Sequence, residues 1–127
     1  METAEFLTPE ECAEVDKALL TSHDKFAARV AIYALRSLKQ IAQQTGIPVS
    51  DLTPGQIEDW IYQDPSLQAG MDVSFKAFFS RLVTASRQPL QQAAQSAAVP
   101  VESLTLAQVI AWFEQDARQR LSQQAKQ

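Results

Sequence analysis

Phe26, Val30, Tyr33, Ala34, Leu38, Ile41 and Ala42 return at intervals of three and four, the spacing of one helical face. The stripe predicts a long helix opening at Thr21-Ser22-His23-Asp24 and running to about Thr45. Gly46 then supplies a C′ glycine and Pro48 a stop. A second stripe, Phe75, Phe78, Phe79, Leu82, Leu90, Ala93 and Ala97, predicts another long helix from about Ser74. Pro89 lies inside it and should kink or split it near Arg87. Ala98 stands where the first helix has its stop glycine, so this exit is less sharply specified.

Short helices come from punctuation. Leu-Thr-x-x-(Glu/Gln)-apolar occurs at Leu7-Thr8-Pro9-Glu10-Glu11-Cys12, Leu52-Thr53-Pro54-Gly55-Gln56-Ile57 and Leu104-Thr105-Leu106-Ala107-Gln108-Val109. Each copy reads as a complete helix start: Thr caps, Glu or Gln at N3 closes a capping box, and Leu at N′ staples the apolar N4 residue. Pro at N1 in the first two copies costs nothing, because the N–H it lacks has no intrahelical partner. The Trp eight residues after the leading Leu in two copies, Trp60 and Trp112, is expected to bury against the long helices.

A shift of 52 residues lays Ser37 to Asp64 over Pro89 to Asp116. It matches Leu38/Leu90, Pro48/Pro100, Val49/Val101, Leu52/Leu104, Thr53/Thr105, Gln56/Gln108, Trp60/Trp112 and Asp64/Asp116, among others. The reading is a duplicated unit of long helix, Pro-Val turn and short capped helix, over 22–64 and 74–116. The first Leu-Thr copy adds a short helix in front. The expected fold is therefore all-α, a single domain over 1–127 forming a compact bundle of about five helices, short–long–short–long–short. Residues 119–127 should form a frayed tail. Pro65-Ser66-Leu67-Gln68-Ala69-Gly70-Met71 looks like an insertion between the copies and is the best candidate for a recognition loop.

Composition narrows the class. At 127 residues, with 46% hydrophobic and 20% charged residues, the chain can bury a core without disulfides or metal. Only three Gly and an Ala/Leu/Gln-rich background favour helix. No apolar run approaches the roughly 20 residues that span a bilayer, and no basic segment precedes an apolar one at the start. With a single Cys12, a cytoplasmic location is the default expectation.

The net charge of −4 argues mildly against an obligate nucleic-acid binder, but its distribution says more. Residues 1–21 and 51–72 each carry −5, whereas 22–50 and 73–100 each carry +3. Acidic short helices would lie against basic long ones, or against basic faces of another subunit.

Chemistry is sparse. One His and one Cys fall short of the three or four convergent ligands a metal needs. His23 reads as a polar first-turn residue, and Cys12 as a small hydrophobe at the staple position. Glu10, Glu11, Glu14, Glu58 and Asp59 are expected in first turns, where negative charge complements the helix dipole, so acid–base catalysis is not needed to explain them. Asp64 and Asp116 close their short helices against the dipole, which makes them candidate site residues. No phosphate loop, nucleophile elbow or zinc-protease motif is present, and no cofactor is implied.

Lys25-Phe26 through Trp60, with Arg29-Val30, Tyr33-Ala34-Leu35-Arg36-Ser37-Leu38 and Asp51-Leu52-Thr53, resembles the helical core-binding domain of tyrosine recombinases. That resemblance implies phosphate contacts by Lys25, Arg29, Arg36 and Lys39, repeated by Arg81 and Arg87. The chain lacks the catalytic domain of that family. Asp24 through Ala42 and the Leu-Thr-Pro-Glu-Glu-Cys opening together resemble small uncharacterised helical proteins of cyanobacteria, which bring no activity with them. The reading is a non-catalytic protein–protein interaction module, an adaptor or regulatory subunit rather than an enzyme. Its partner-binding residues would come from Asp64, Asp116, Leu67, Met71, Arg29 and Arg36. A homodimer is compatible with the alternating charge. The alternative is a DNA-binding helical domain using the basic residues of the long helices.

Overall fold

The computed structural model describes residues 7–64 and 73–125. Among these residues six α-helices follow one another: α1 (Pro9–Lys17), α2 (Ser22–Thr45), α3 (Pro54–Gln63), α4 (Val73–Ala85), α5 (Arg87–Ala97) and α6 (Leu106–Ala125). Short 3-10 turns at Val49–Asp51 and Val101–Ser103 precede α3 and α6. No strand occurs among the described residues, so the fold is all-α.

Helix starts follow the local chemistry. The Thr8 hydroxyl accepts from the Glu11 N–H at 3.2 Å while the Glu11 carboxylate accepts from the Thr8 N–H at 2.9 Å. Thr53 with Gln56 and Thr105 with Gln108 make the same reciprocal pair. These bonds satisfy N–H groups that a helix start otherwise leaves without acceptors. Thr21 caps α2 by accepting from Asp24. Gly46 ends α2 in the left-handed region at φ 72°.

The anticipated second long helix is broken once, at Ser86. Pro89 has no N–H to offer the Ala85 carbonyl, and Ser86 turns its hydroxyl back onto Leu82 at 2.9 Å. At its far end Ala98 adopts φ 58°, doing without a glycine what Gly46 does at the end of α2.

α2 is the axis of the molecule and touches every other helix. Its residues from Val30 to Leu35 are all buried, as are Ser37, Leu38 and Ile41. That is wider than the single stripe the spacing predicts, because partners surround the helix rather than cover one side. α3 contributes Ile57 and Ile61, and α6 contributes Val109 and Phe113, in each case an i, i+4 pair facing inward. Trp60 and Trp112 lie beside those pairs and pack, partly buried, against the edge of the core.

One further expectation changes. In α4 the inward residues are Phe79 and Val83, while Phe78 faces outward and Phe75, stacked on Phe79, lies at the margin of the buried face. Beyond Gln119, α6 continues to Ala125. Arg120 holds that extension by bridging Asp116, one turn back at 3.0 Å, and Asp24 at the start of α2 at 2.9 Å.

Candidate partner-binding surface

The acidic first helix lies on the basic face of the second. Lys25, Arg29 and Arg36 recur along one side of α2. Arg29 pairs with Asp16 at 3.1 Å, Arg36 with Glu11 at 2.9 Å, and the Lys25 ammonium donates to the Asp16 carbonyl at 3.0 Å. Arg36 also lies over the Tyr33 ring, 5.5 Å from its centroid. Two of the arginines expected to read phosphates are thus neutralised within the chain.

On the other side of Tyr33 lies Asp64. It caps the end of α3, is buried, and accepts a hydrogen bond from the Tyr33 hydroxyl. Burial, and then the neighbouring carboxylate, hold the Tyr33 phenol well above the ordinary tyrosine value. The unfavourable dipole position of Asp64 therefore has a compensating partner. Asp116 differs from its counterpart in the shifted alignment. Nothing like Pro65 follows it, α6 runs on, and it sits in mid-helix paired with Arg120.

The structure accordingly brings Arg36 and Asp64 together around Tyr33 and places Arg29 two turns back on the same helix. Asp116 stands apart, linked through Arg120 to Asp24. Leu67 and Met71, with the rest of the 65–71 insertion, lie outside the described residues.

A groove of about 510 Å³ opens beside the second 3-10 turn, with Ile32, Leu35 and Leu104 below and Glu11, Arg36 and Lys39 at its rim. The Lys39 ammonium donates to the Leu104 carbonyl at 2.8 Å. Glu102 continues the wall into a second hollow of about 350 Å³ along Gly46 and Pro48. Its carboxylate accepts from the Val49 N–H at 3.1 Å and so ties the two 3-10 turns together. Glu102 escapes a reading of the sequence as a site residue, because its turn meets α2 only through the tertiary fold, and Lys39 enters one only through the likeness to tyrosine recombinases.

Elsewhere, among the described residues, four large apolar side chains stand in the open: Leu19, Phe75, Phe78 and Leu121. Phe78 is 55% exposed and Phe75 36%. Single exposed hydrophobes need no explanation, but two aromatics one turn apart do.

Groups that could do covalent or metal chemistry are few. Among the described residues no three His, Cys, Asp or Glu side chains gather as metal ligands. Burial, followed by the Asp16 carboxylate, pushes the Cys12 thiol above its usual value, which disfavours the reactive thiolate. No helix of the described residues is long and apolar enough to cross a membrane.

Fold and surface together define a small all-α protein whose ion pairs hold helices to one another and whose outer faces offer grooves and aromatics. The family model of the NDH complex assembly factor CRR9 matches residues 7–120, and the chain belongs to that family. The match agrees with the resemblance to small helical proteins of cyanobacteria and gives no support to the likeness to tyrosine recombinases. No curated protein and no solved structure matches the chain.

Proposed function

We propose that the chain is a non-catalytic assembly factor of the NDH complex, which holds a protein component of that complex on its helical surface during assembly. The observation that carries this is the family match, which runs from the first capping motif through nearly all of α6. The arrangement of charge supports it. Arg29, Arg36 and Arg120 each hold a carboxylate in their own chain, which leaves grooves and apolar faces, not a reactive cluster, as the outward chemistry. Part of the alternating charge that could favour a two-fold dimer is spent inside the chain at the contact of α1 with α2. The partner we assign is therefore a different protein.

The test is genetic. In a host that carries this gene and an NDH complex, disruption should lower the fully assembled complex on native gels, and the intact gene should restore it. An unchanged amount of assembled complex in the disrupted strain would overturn the assignment.

A further inference from the structure

We propose that the outer face of α4, centred on Phe78 and Arg81, is the docking surface for a partner protein segment that carries carboxylates beside apolar side chains.

The argument begins with helix geometry. At about 100° per residue, Phe78 lies roughly 120° from the inward Phe79–Val83 direction, and Arg81 roughly 180° from it. Ser74, Phe78, Arg81 and Ala85 therefore form one exposed line along the helix, with Phe75 at its margin. The aromatic part is anchored. Phe75 stacks on Phe79 with centroids 6.0 Å apart, and Phe79 packs against Tyr33 at 5.2 Å. An exposed ring on a rigid helix loses little entropy on binding, which is why aromatics and arginine dominate interface energetics.

Charge identifies the occupant. α4 contains Lys76 and Arg81 and no carboxylate. Among the described residues Arg81 makes no ion pair, although α3, which packs on α4, exposes Glu58 and Asp59. Lys76 donates to the Tyr62 carbonyl at 3.4 Å and makes no ion pair among the described residues. The whole stretch 73–100 carries +3 without one acidic residue in a chain of net −4. A cation one turn from an exposed aromatic, with no carboxylate of its own, is complemented by an acidic and apolar segment. A second copy docked face to face on a two-fold axis would oppose like charges. An anionic bilayer is a poorer match, since polybasic attachment draws on about four to eight cations and α4 offers two.

This deepens the assembly-factor reading and relies on it only for the partner's being a protein. The experiment uses the full chain with Phe78→p-benzoylphenylalanine, irradiated in the native host, with Gln91→p-benzoylphenylalanine on the polar side of α5 as control. The cross-linked segment is sequenced. The expected result is a cross-link from position 78 to a segment with Asp or Glu within a turn or two of apolar residues. Arg81→Glu should reduce its yield by about tenfold or more, with the circular dichroism of the purified chain unchanged.

A cross-link to a second copy, to a basic segment or to nothing would overturn the proposal. So would co-sedimentation with phosphatidylglycerol vesicles that Arg81→Glu abolishes. The two readings fail separately. If gene disruption depletes the complex but Phe78→Ser with Arg81→Glu restores it in full, this face is wrong and the function stands. If disruption changes nothing, the function is wrong, and the cross-link still decides the face.

Discussion

The Tyr33 hydroxyl donates to the Asp64 carboxylate across 31 residues of sequence, tying the end of α3 to the middle of α2 inside the core. Tyr33 is fully buried and Asp64 is 8% exposed, so water competes little for either group. A hydrogen bond to a charged acceptor in such surroundings is among the stronger single contacts a small domain makes. Tyr33→Phe keeps the ring and its packing on Phe79 but removes the donor. It should cost about 1.5–3 kcal/mol, read as a lower urea midpoint at neutral pH with unchanged slope. A variant as stable as the parent would show that the contact contributes nothing.

The same contact predicts a pH dependence. Burial first, and the Asp64 carboxylate second, raise the Tyr33 phenol above its unfolded value of about 10. A raised value in the folded state means that the unfolded chain loses the proton first as pH rises. The stability contributed by the neutral phenol is complete below about pH 10 and declines above it, by at most about 1.4 kcal/mol per pH unit. Urea midpoints of the parent and of Tyr33→Phe, compared from about pH 8 to pH 11.5, should converge as pH increases. A constant gap across that range would contradict the assignment.

Arg36 and Glu11 join α1 to α2 with side chains 28% and 16% exposed. That setting lies between the surface, where pairs contribute little, and the interior, where removing one partner strands the other. Arg36→Ala and Glu11→Ala should each destabilise by about 1–2 kcal/mol, and the double variant by clearly less than their sum. Strict additivity of the two losses would mean that the guanidinium acts through its cover of the Tyr33 ring and not through Glu11.

Cys12 tests the same seam by its reactivity. Burial and Asp16 raise its thiol, whereas Arg29 lowers it. Labelling by a chromogenic disulfide at mildly alkaline pH should be slower than for a free cysteine, and Asp16→Asn should accelerate it by removing one raising charge and releasing Arg29 from its pair. Slower labelling in Asp16→Asn would point to a change of access instead of charge.

What could be read in advance was what neighbours in sequence decide. The capping pairs at Thr8, Thr53 and Thr105, the glycine exit at Gly46 and the break near Arg87 each depend on residues within about one turn. The exposure of Phe78 could not be read this way, since three phenylalanines in five positions satisfy a stripe whichever one faces inward. Phe79 wins because it continues to Val83 and meets Tyr33. Nor could the run of α6 past Gln119, because the Arg120 anchor reaches 96 residues back to Asp24. The candidate site was the least legible part. The arginines stood out in the sequence, but only the fold shows that Arg29 and Arg36 are engaged while Arg81 makes no ion pair among the described residues.

The two helix exits share one backbone conformation, so reverse exchanges at them should have opposite effects. Gly46 at the end of α2 has φ 72°, and a Cβ built there would meet nothing within 4 Å. Gly46→Ala therefore carries only the backbone penalty of a left-handed alanine, a loss of about 1 kcal/mol. Ala98 at the end of α5 already bears that penalty, at φ 58° and ψ 40°. Its N–H reaches Gln95 at 3.2 Å, and the following Val99 N–H reaches Ala94 at 3.0 Å, so this exit holds the chain in a conformation alanine disfavours. Ala98→Gly should raise stability by about 0.5–1 kcal/mol, the relief of strain exceeding the extra freedom glycine gives the unfolded chain. Thermal midpoints of the two single variants should move in opposite directions. Were Ala98→Gly to lower the midpoint, the left-handed exit at α5 would not be the conformation the protein holds in solution.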